Sequence, residues 1–257
     1  MTIYMQNATR PLKEAPMSEA ERKARVELAA AYRIFDMLGW SLLIFNHITL
    51  RVAGPEPRFL INPFGLHYSE ITASSLLLVD LEGNVLRESR WPMNRAGFVI
   101  HSALHESQPE AHCIMHTHTT TGMAVACLKD GLSPHNFYGA MLQGQVAYHD
   151  FEGITVEPGE KERLVRDIGD KRAVILRNHG LLAWGPSVSQ AFLTLWTLQQ
   201  ACDVQIAAAS AGAIHPVTPQ AIAISVRESG QGEKRTCEDV FAALRRKLDS
   251  IDPSYKE

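Results

Sequence analysis

His112-Cys113-Ile114-Met115-His116-Thr117-His118 is the stretch on which the reading of this chain turns. A short apolar run closing on His-x-His reads as a buried strand, and residues two apart on a strand point to the same face. His116 and His118 can therefore offer two imidazoles to one point. His112 shares that face, but four residues before His116 it lies ~13 Å away and is not counted as a ligand. Further along, Asn178-His179-Gly180 directly follows the apolar Ala173 to Leu176 run. His179 can supply a third imidazole there, with Gly180 letting the backbone turn sharply. Three histidines with a fourth position open are what a catalytic zinc requires, rather than a closed structural site. Two alternatives stand beside this: strand histidines lining a polar pocket, and a turn histidine bonded to backbone.

Outward from that strand, helix and strand signals alternate. Residues 1–17, polar and proline-containing, read as a loose arm, and the remainder, 18–257, as one domain. Ser18 and Glu21 form a capping-box signature; Leu28, Tyr32, Phe35 and Leu38 share the face of the helix that follows, and Gly39 suits its exit. From Asn46 the period falls to two, with Ile48, Leu50 and Val52 alternating with His47, Thr49 and Arg51. Phe59 to Ile61 is a further strand closed by the turn Asn62-Pro63-Phe64-Gly65. Leu76 to Leu81 and Val85-Leu86 flank a hairpin turn at Glu82-Gly83-Asn84. A helix carries Phe98, His101, Leu104 and His105, and a threonine-capped helix follows the His-x-His strand. Glu160 to Ile168 reads as helix, Leu181 to Trp184 as strand, Ser187 to about Ser210 as one long helix, and the chain from Thr218 as two shorter ones. The hairpin signals favour an antiparallel or mixed sheet over a doubly wound parallel one.

The bulk numbers narrow the function. The 257 residues suffice for one well-filled domain, and 46% hydrophobic with 21% charged residues is ordinary for a globular protein. A formal net charge of -3 without a Lys/Arg cluster argues against a nucleic-acid or anionic-membrane partner. No apolar run approaches the ~20 residues needed to span a bilayer, and the first residues lack the pattern of a secretory signal. The four cysteines, Cys113, Cys127, Cys202 and Cys237, are widely spaced without a C-x-x-C pair. They read as reduced thiols, so a cytoplasmic location is expected.

The stretch from Phe98 through Gly122, together with Gln145 to Asp150 and Leu176 to Leu181, resembles the class II aldolase/adducin family, and the similarity runs from about Arg25 to Gly212. Several separated motifs recur in the same order, so the match is specific for family though not for activity. The resemblance implies an α/β fold, a single-domain three-layer α/β/α arrangement with a mostly antiparallel central sheet. It implies homotetramers with the active site near a subunit interface. In the sugar-phosphate aldolases of the family the positions matching His116, His118 and His179 bind a divalent metal, usually zinc; manganese is the alternative here. The metal polarises a substrate oxygen and stabilises an enediolate.

The pattern breaks at informative places. The aldolases carry a proton-transferring glutamate four residues before the position matching His101, and this chain has Gly97 there. Their phosphate is held by small and hydroxyl residues at positions approximately matching Phe45 and Asn46, Phe64 and Gly65, and Arg95 and Ala96, of which only Asn46 and Gly65 keep the pattern. These coordinated changes argue against a sugar phosphate and resemble the adducin-type branch. Some family members decarboxylate hydroxylated aromatic dicarboxylates, a reaction that needs no phosphate site. Phe45 and Phe64 would then wall a planar substrate and Arg95 would grip a carboxylate; otherwise the phenylalanines are core and Arg95 is surface. Tyr138 aligns loosely with a family tyrosine that reaches a neighbouring subunit's site as proton donor, or else packs. His47 points into the pocket as a second proton carrier, or is solvated. His67, Tyr68 and Glu70 form a polar loop able to touch substrate. His101 either orients a metal ligand or is buried against the sheet.

The expectation is a metal-dependent lyase that cleaves a carbon–carbon bond, by decarboxylation or retro-aldol reaction, in a small oxygenated carboxylate or carbonyl compound. A catalytically silent adducin-like assembly module is the competing reading. A hydrolase using zinc-bound hydroxide fits the ligand set but gains nothing from the resemblance.

Overall fold

The computed structural model describes residues 17–153, 159–230 and 233–257, so the expected arm, 1–17, lies outside the described residues but for Met17. The His-x-His strand is at the centre of the molecule. It is β4 (Cys113–Thr117), fourth of seven strands ordered β3-β2-β1-β4-β7-β6-β5. The others are β1 (His47–Val52), β2 (Arg58–Ile61), β3 (Leu77–Val79), β5 (Val146–His149), β6 (Ala173–Leu176) and β7 (Gly180–Gly185). Among the described residues every ladder is antiparallel except β5 with β6. The sheet is therefore mixed and mostly antiparallel.

Helices cover both faces. α1 (Glu19–Met37), α3 (Thr120–Ala126) and α6 (Val188–Ala211) pack on one side, where Leu28, Ile48, Met115, Leu181 and Leu195 share a core. α2 (Arg95–Ser107) and α5 (Glu160–Ile168) pack on the other, with Leu104, Ile114, Val174, Leu182 and Trp184. Alternation along β4 sends Met115 to the first core and Ile114 to the second. His116 and His118, in step with Ile114, thus belong to the α2 side. α4 (Phe137–Met141), which the sequence reading did not identify, packs against α6 and against α7 (Pro219–Ser229). α8 (Glu233–Ile251) lies across α6 and α1, and at 19 residues it is, like α7, shorter than the 24-residue α6, as expected. No helix among the described residues is long and apolar enough to cross a membrane.

Two local expectations change. Ser18 Oγ accepts the Glu21 backbone N–H at 3.1 Å, but the Glu21 side chain does not reciprocate. It is buried instead against Arg25 (2.9 Å) and Arg87 (3.0 Å). Burial alone would raise the Glu21 pKa, yet the hydrogen bonds from Arg87 and Arg25 outweigh it and hold the carboxyl below its ordinary value. The reciprocal box forms at the 3-10 turn Tyr68–Glu70, where the His67 ring accepts the Ser69 N–H and Glu70 accepts the His67 N–H. His67 and Glu70 are spent on that turn, and Tyr68 is fully buried against Tyr32 and Phe35. Tyr68 is core rather than a substrate contact.

Candidate metal centre

The β6–β7 turn brings the third histidine to the other two. β4 pairs with β7 so that His116 lies opposite Leu182 and Thr117 opposite Leu181. His179, immediately before β7, then projects beside His118. One ring nitrogen from each of His116, His118 and His179 lies within 4.8 Å of the others. The ring centroids are 4.5 to 4.8 Å apart.

Backbone chemistry explains why Asn-His-Gly stands here. The positive φ is at Asn178 (57°), a residue that tolerates the left-handed region better than most. Gly180 is needed for a different reason: a Cβ there would run into the Thr117 carbonyl oxygen and crowd the His118 and His116 rings. The glycine permits close strand approach rather than supplying the expected sharp turn.

The three rings are prepared as ligands. His116 Nδ1 lies 2.8 Å from the Leu181 carbonyl oxygen, which can only accept, so Nδ1 carries the proton and Nε2 is left bare. That bare Nε2 faces His118 Nε2 at 2.7 Å, a separation two lone pairs tolerate only with a proton or a cation between them. Burial pushes the pKa of His116 well below its usual value, and His118 and His179 press the same way. Burial also lowers His118, and lowers His179 to about 4, helped there by His118. Neutral imidazoles are the form that binds a divalent metal, so the donor set fits a cation such as zinc.

His47 adjoins this trio. It opens β1 directly opposite His116, its ring centroid 5.3 Å from that of His116 and 4.2 Å from that of His101 on α2. It is only 4% exposed, and neither ring nitrogen has a hydrogen-bond partner of good geometry. The nearby backbone of Gly97 and Phe45 does favour the protonated ring, but burial, with His118 adding to it, prevails and lowers the pKa to about 3. The reason this ring fits is Gly97. A Cβ at position 97 would come within 2.5 Å of His47 Cε1 and 2.7 Å of Nδ1. The imidazole occupies the space through which a longer side chain at 97 would have to extend.

The remaining expected residues divide. Asn46 is buried; its Nδ2 donates to Trp40 O at 2.8 Å while its Oδ1 has no partner among the described residues. Phe45 is 50% exposed and stands 6.4 Å from Phe64, so the pair is a half-open aromatic wall and not core. Gly65 takes φ 117° beneath the Trp91 ring. Arg95 is the first residue of α2, and its side chain lies outside the described residues. Tyr138, on α4, stacks edge-on against Trp196 of α6, and its ring contacts include none of the triad. His101 is fully buried and touches His47 rather than a metal ligand.

A three-histidine cluster able to hold a metal, at the end of a seven-stranded α/β/α sandwich, defines the class of α/β domain to which this chain is compared. The chain belongs to the class II aldolase/adducin family: it matches the Class II Aldolase and Adducin N-terminal domain over residues 26–206. An aldolase II superfamily protein from Pseudomonas syringae superposes with a TM-score of 0.91 at 41% identity, over 94% of this chain and 98% of that one. An L-fuculose 1-phosphate aldolase from Glaciozyma antarctica superposes with a TM-score of 0.81 at 30% identity, over 96% and 97%. Alpha-adducin of Rattus norvegicus is 46% identical over 76% of this chain, which spans 27% of that protein. The family contains metal-dependent lyases, and its adducin members leave catalysis by any one chain a separate question.

Proposed function

We propose that this chain is a divalent-metal-dependent lyase that cleaves a carbon–carbon bond in a small oxygenated carboxylate or carbonyl compound other than a sugar phosphate. The observation carrying the proposal is the trio His116, His118 and His179, with His116 locked in the ligand tautomer by Leu181 O. These residues would hold zinc, or manganese in its place. Bound there, the ion supplies Lewis-acid polarisation of a substrate oxygen.

The chain's own groups supply the rest. His47, over Gly97, takes the place of the family glutamate as proton carrier. In a retro-aldol step a His47 ring nitrogen takes the substrate hydroxyl proton. The electron pair of the breaking carbon–carbon bond passes into the adjacent carbonyl to give an enolate, and the proton is returned to carbon. In a decarboxylation, the bond to the carboxylate supplies that pair and the incoming proton comes from an acid. Tyr138, from a neighbouring subunit of a homotetramer, is assigned that acid. Asn46 Oδ1 offers a buried, unpartnered acceptor to a substrate hydroxyl. Phe45 and Phe64 flank a planar substrate, and Arg95 receives a carboxylate.

Elemental analysis of protein purified without chelators tests the centre: about one zinc or manganese per chain is expected, and His116→Ala should lose it. A screen of hydroxyaromatic carboxylates and 2-oxo acids with that metal then tests the activity. Wild type that is metal-free and resists reloading would sink the lyase reading. The 46% identity to alpha-adducin would then favour a binding module.

A further inference from the structure

The face of β1 that carries His47 also carries Thr49 and Arg51, and all three are covered by α2. Behind His47 this contact holds a chain of hydrogen bonds whose direction can be worked out atom by atom. It begins at the Ala111 carbonyl oxygen, which can only accept. His105 Nδ1 lies 2.7 Å from it and must carry the proton there. Burial lowers the His105 pKa to about 3, against the opposing pull of that carbonyl, so the ring is neutral and its Nε2 is bare. Thr49 Oγ1 lies 2.7 Å from this Nε2 and donates its single proton to it. The same oxygen lies 2.8 Å from His101 Nδ1 and, its proton used, accepts from it. His101 is thereby left protonated at Nδ1 and bare at Nε2. That Nε2 is fully buried and unpartnered among the described residues, and the ring next to it is His47, whose two nitrogens have no hydrogen-bond partner of good geometry among the described residues, the Gly97 and Phe45 backbone lying nearby.

From this geometry we infer that Thr49 and His101 are positioning residues that fix the tautomer of His47. A bare, buried acceptor cannot donate, so any hydrogen bond between His101 and His47, direct or through one water, has His47 as donor. In such a bond His47 spends its one proton on His101 and keeps its other nitrogen bare. Every proton of the chain points away from that centre and toward Ala111. The ring over Gly97 is thus set to accept a proton from a bound molecule rather than to give one. This consequence rests on the lyase reading, whereas the hydrogen-bond direction does not.

Histidine-labelled (15N) protein, with and without added zinc, read by long-range proton–nitrogen correlation of the ring signals, tests the chain independently of turnover. His101 and His105 should each be protonated at Nδ1 only, and His47 should show one protonated and one bare nitrogen. Thr49→Val removes the hydroxyl. It should release His101 from its single tautomer and move both His47 nitrogen signals, while Thr49→Ser restores the wild-type pattern. His116, anchored on Leu181, should keep its pattern throughout, which a general loss of structure would not allow. A proton on His101 Nε2 in wild type, or His47 signals that ignore the Thr49→Val change in His101, would overturn the inference. Should Thr49→Val not fold, the wild-type pattern decides by itself. Failure of zinc binding or of the substrate screen sinks the proposed function and leaves this readout intact.

Discussion

Gly97→Ala gives the sharpest test of how the site is built. The added Cβ would lie 2.5 Å from His47 Cε1 and 2.7 Å from Nδ1, whereas ordinary contacts begin near 3.4 Å. The ring would have to withdraw by roughly 1 Å from carbon contact distance. It has little room, because the His101 and His116 ring centroids stand 4.2 Å and 5.3 Å from its own. Forcing a methyl into such a space costs about 1–3 kcal/mol. Opposing it, alanine in a helix is favoured over glycine by roughly 0.5–1 kcal/mol, and position 97 is in α2. The net expectation in wild type is a loss of about 0–2.5 kcal/mol. In a His47→Ala background the obstacle is gone and the same substitution should become neutral or stabilising. The assay is urea unfolding of the four proteins of this double-mutant cycle at one fixed protomer concentration. An equal cost for Gly97→Ala in both backgrounds would refute the claim that His47 fills the space beside position 97.

Three further outcomes are expected. Gly180→Ala sets a Cβ against backbone at Thr117 O, which cannot swing away as a side chain can; it should lose bound metal along with stability, checked by elemental analysis and thermal unfolding. Glu21→Ala leaves Arg25 buried with only the Ala73 and Leu76 carbonyls, and should cost about 3 kcal/mol or more in chemical denaturation. His105 is neutral when folded, with its pKa lowered to about 3 from 6.5. Its contribution is therefore fully present above pH 6.5 and lost as pH falls toward 3. Between pH 6.5 and 5 this amounts to about 2 kcal/mol, measured as the difference in pH slope between wild type and His105→Gln; equal slopes would contradict it.

The parts of the site that were legible in the sequence are those carried by local periodicity. His116 and His118 follow from a period of two on an apolar strand, and His179 from its place at the end of another. Gly180 was visible as a constraint, but its physical cause depends on how closely β4 and β7 approach, which no local pattern states. Tyr68 looked polar in a polar loop, yet the residues that bury it are on α1. Glu21 looked like a cap because Ser18 precedes it by three; Arg25 and Arg87 claim it, and Arg87 is remote in sequence. The histidine chain left a faint signal that could have been combined. Thr49 alternates with apolar residues on β1, and His101 and His105 are four apart on one helix face. Only the packing of α2 over β1 shows that these two polar stripes face each other.

The exchange at Gly97 bears on what kind of chemistry the site supports. Had the glutamate simply been lost, a cavity beside the three histidines would be expected. Instead an imidazole fills the place, supplied by the strand that pairs with the one carrying His116. A carboxylate standing close to bound metal would be attracted to the cation and would repel an anionic substrate. A neutral imidazole does neither, and its lowered pKa keeps it neutral. Loss of the phosphate-type residues and replacement of the carboxylate by a neutral ring therefore act together. The first removes the hold on a distant phosphate; the second removes the charge that would oppose a carboxylate close to the ion. On the lyase function proposed above, a substrate whose carboxylate lies beside its reacting carbon is the kind this combination would admit. A phosphate-free 2-oxo or hydroxyaromatic acid should accordingly bind better than a sugar phosphate, and calorimetric titration of the zinc-loaded protein with one of each would show the order.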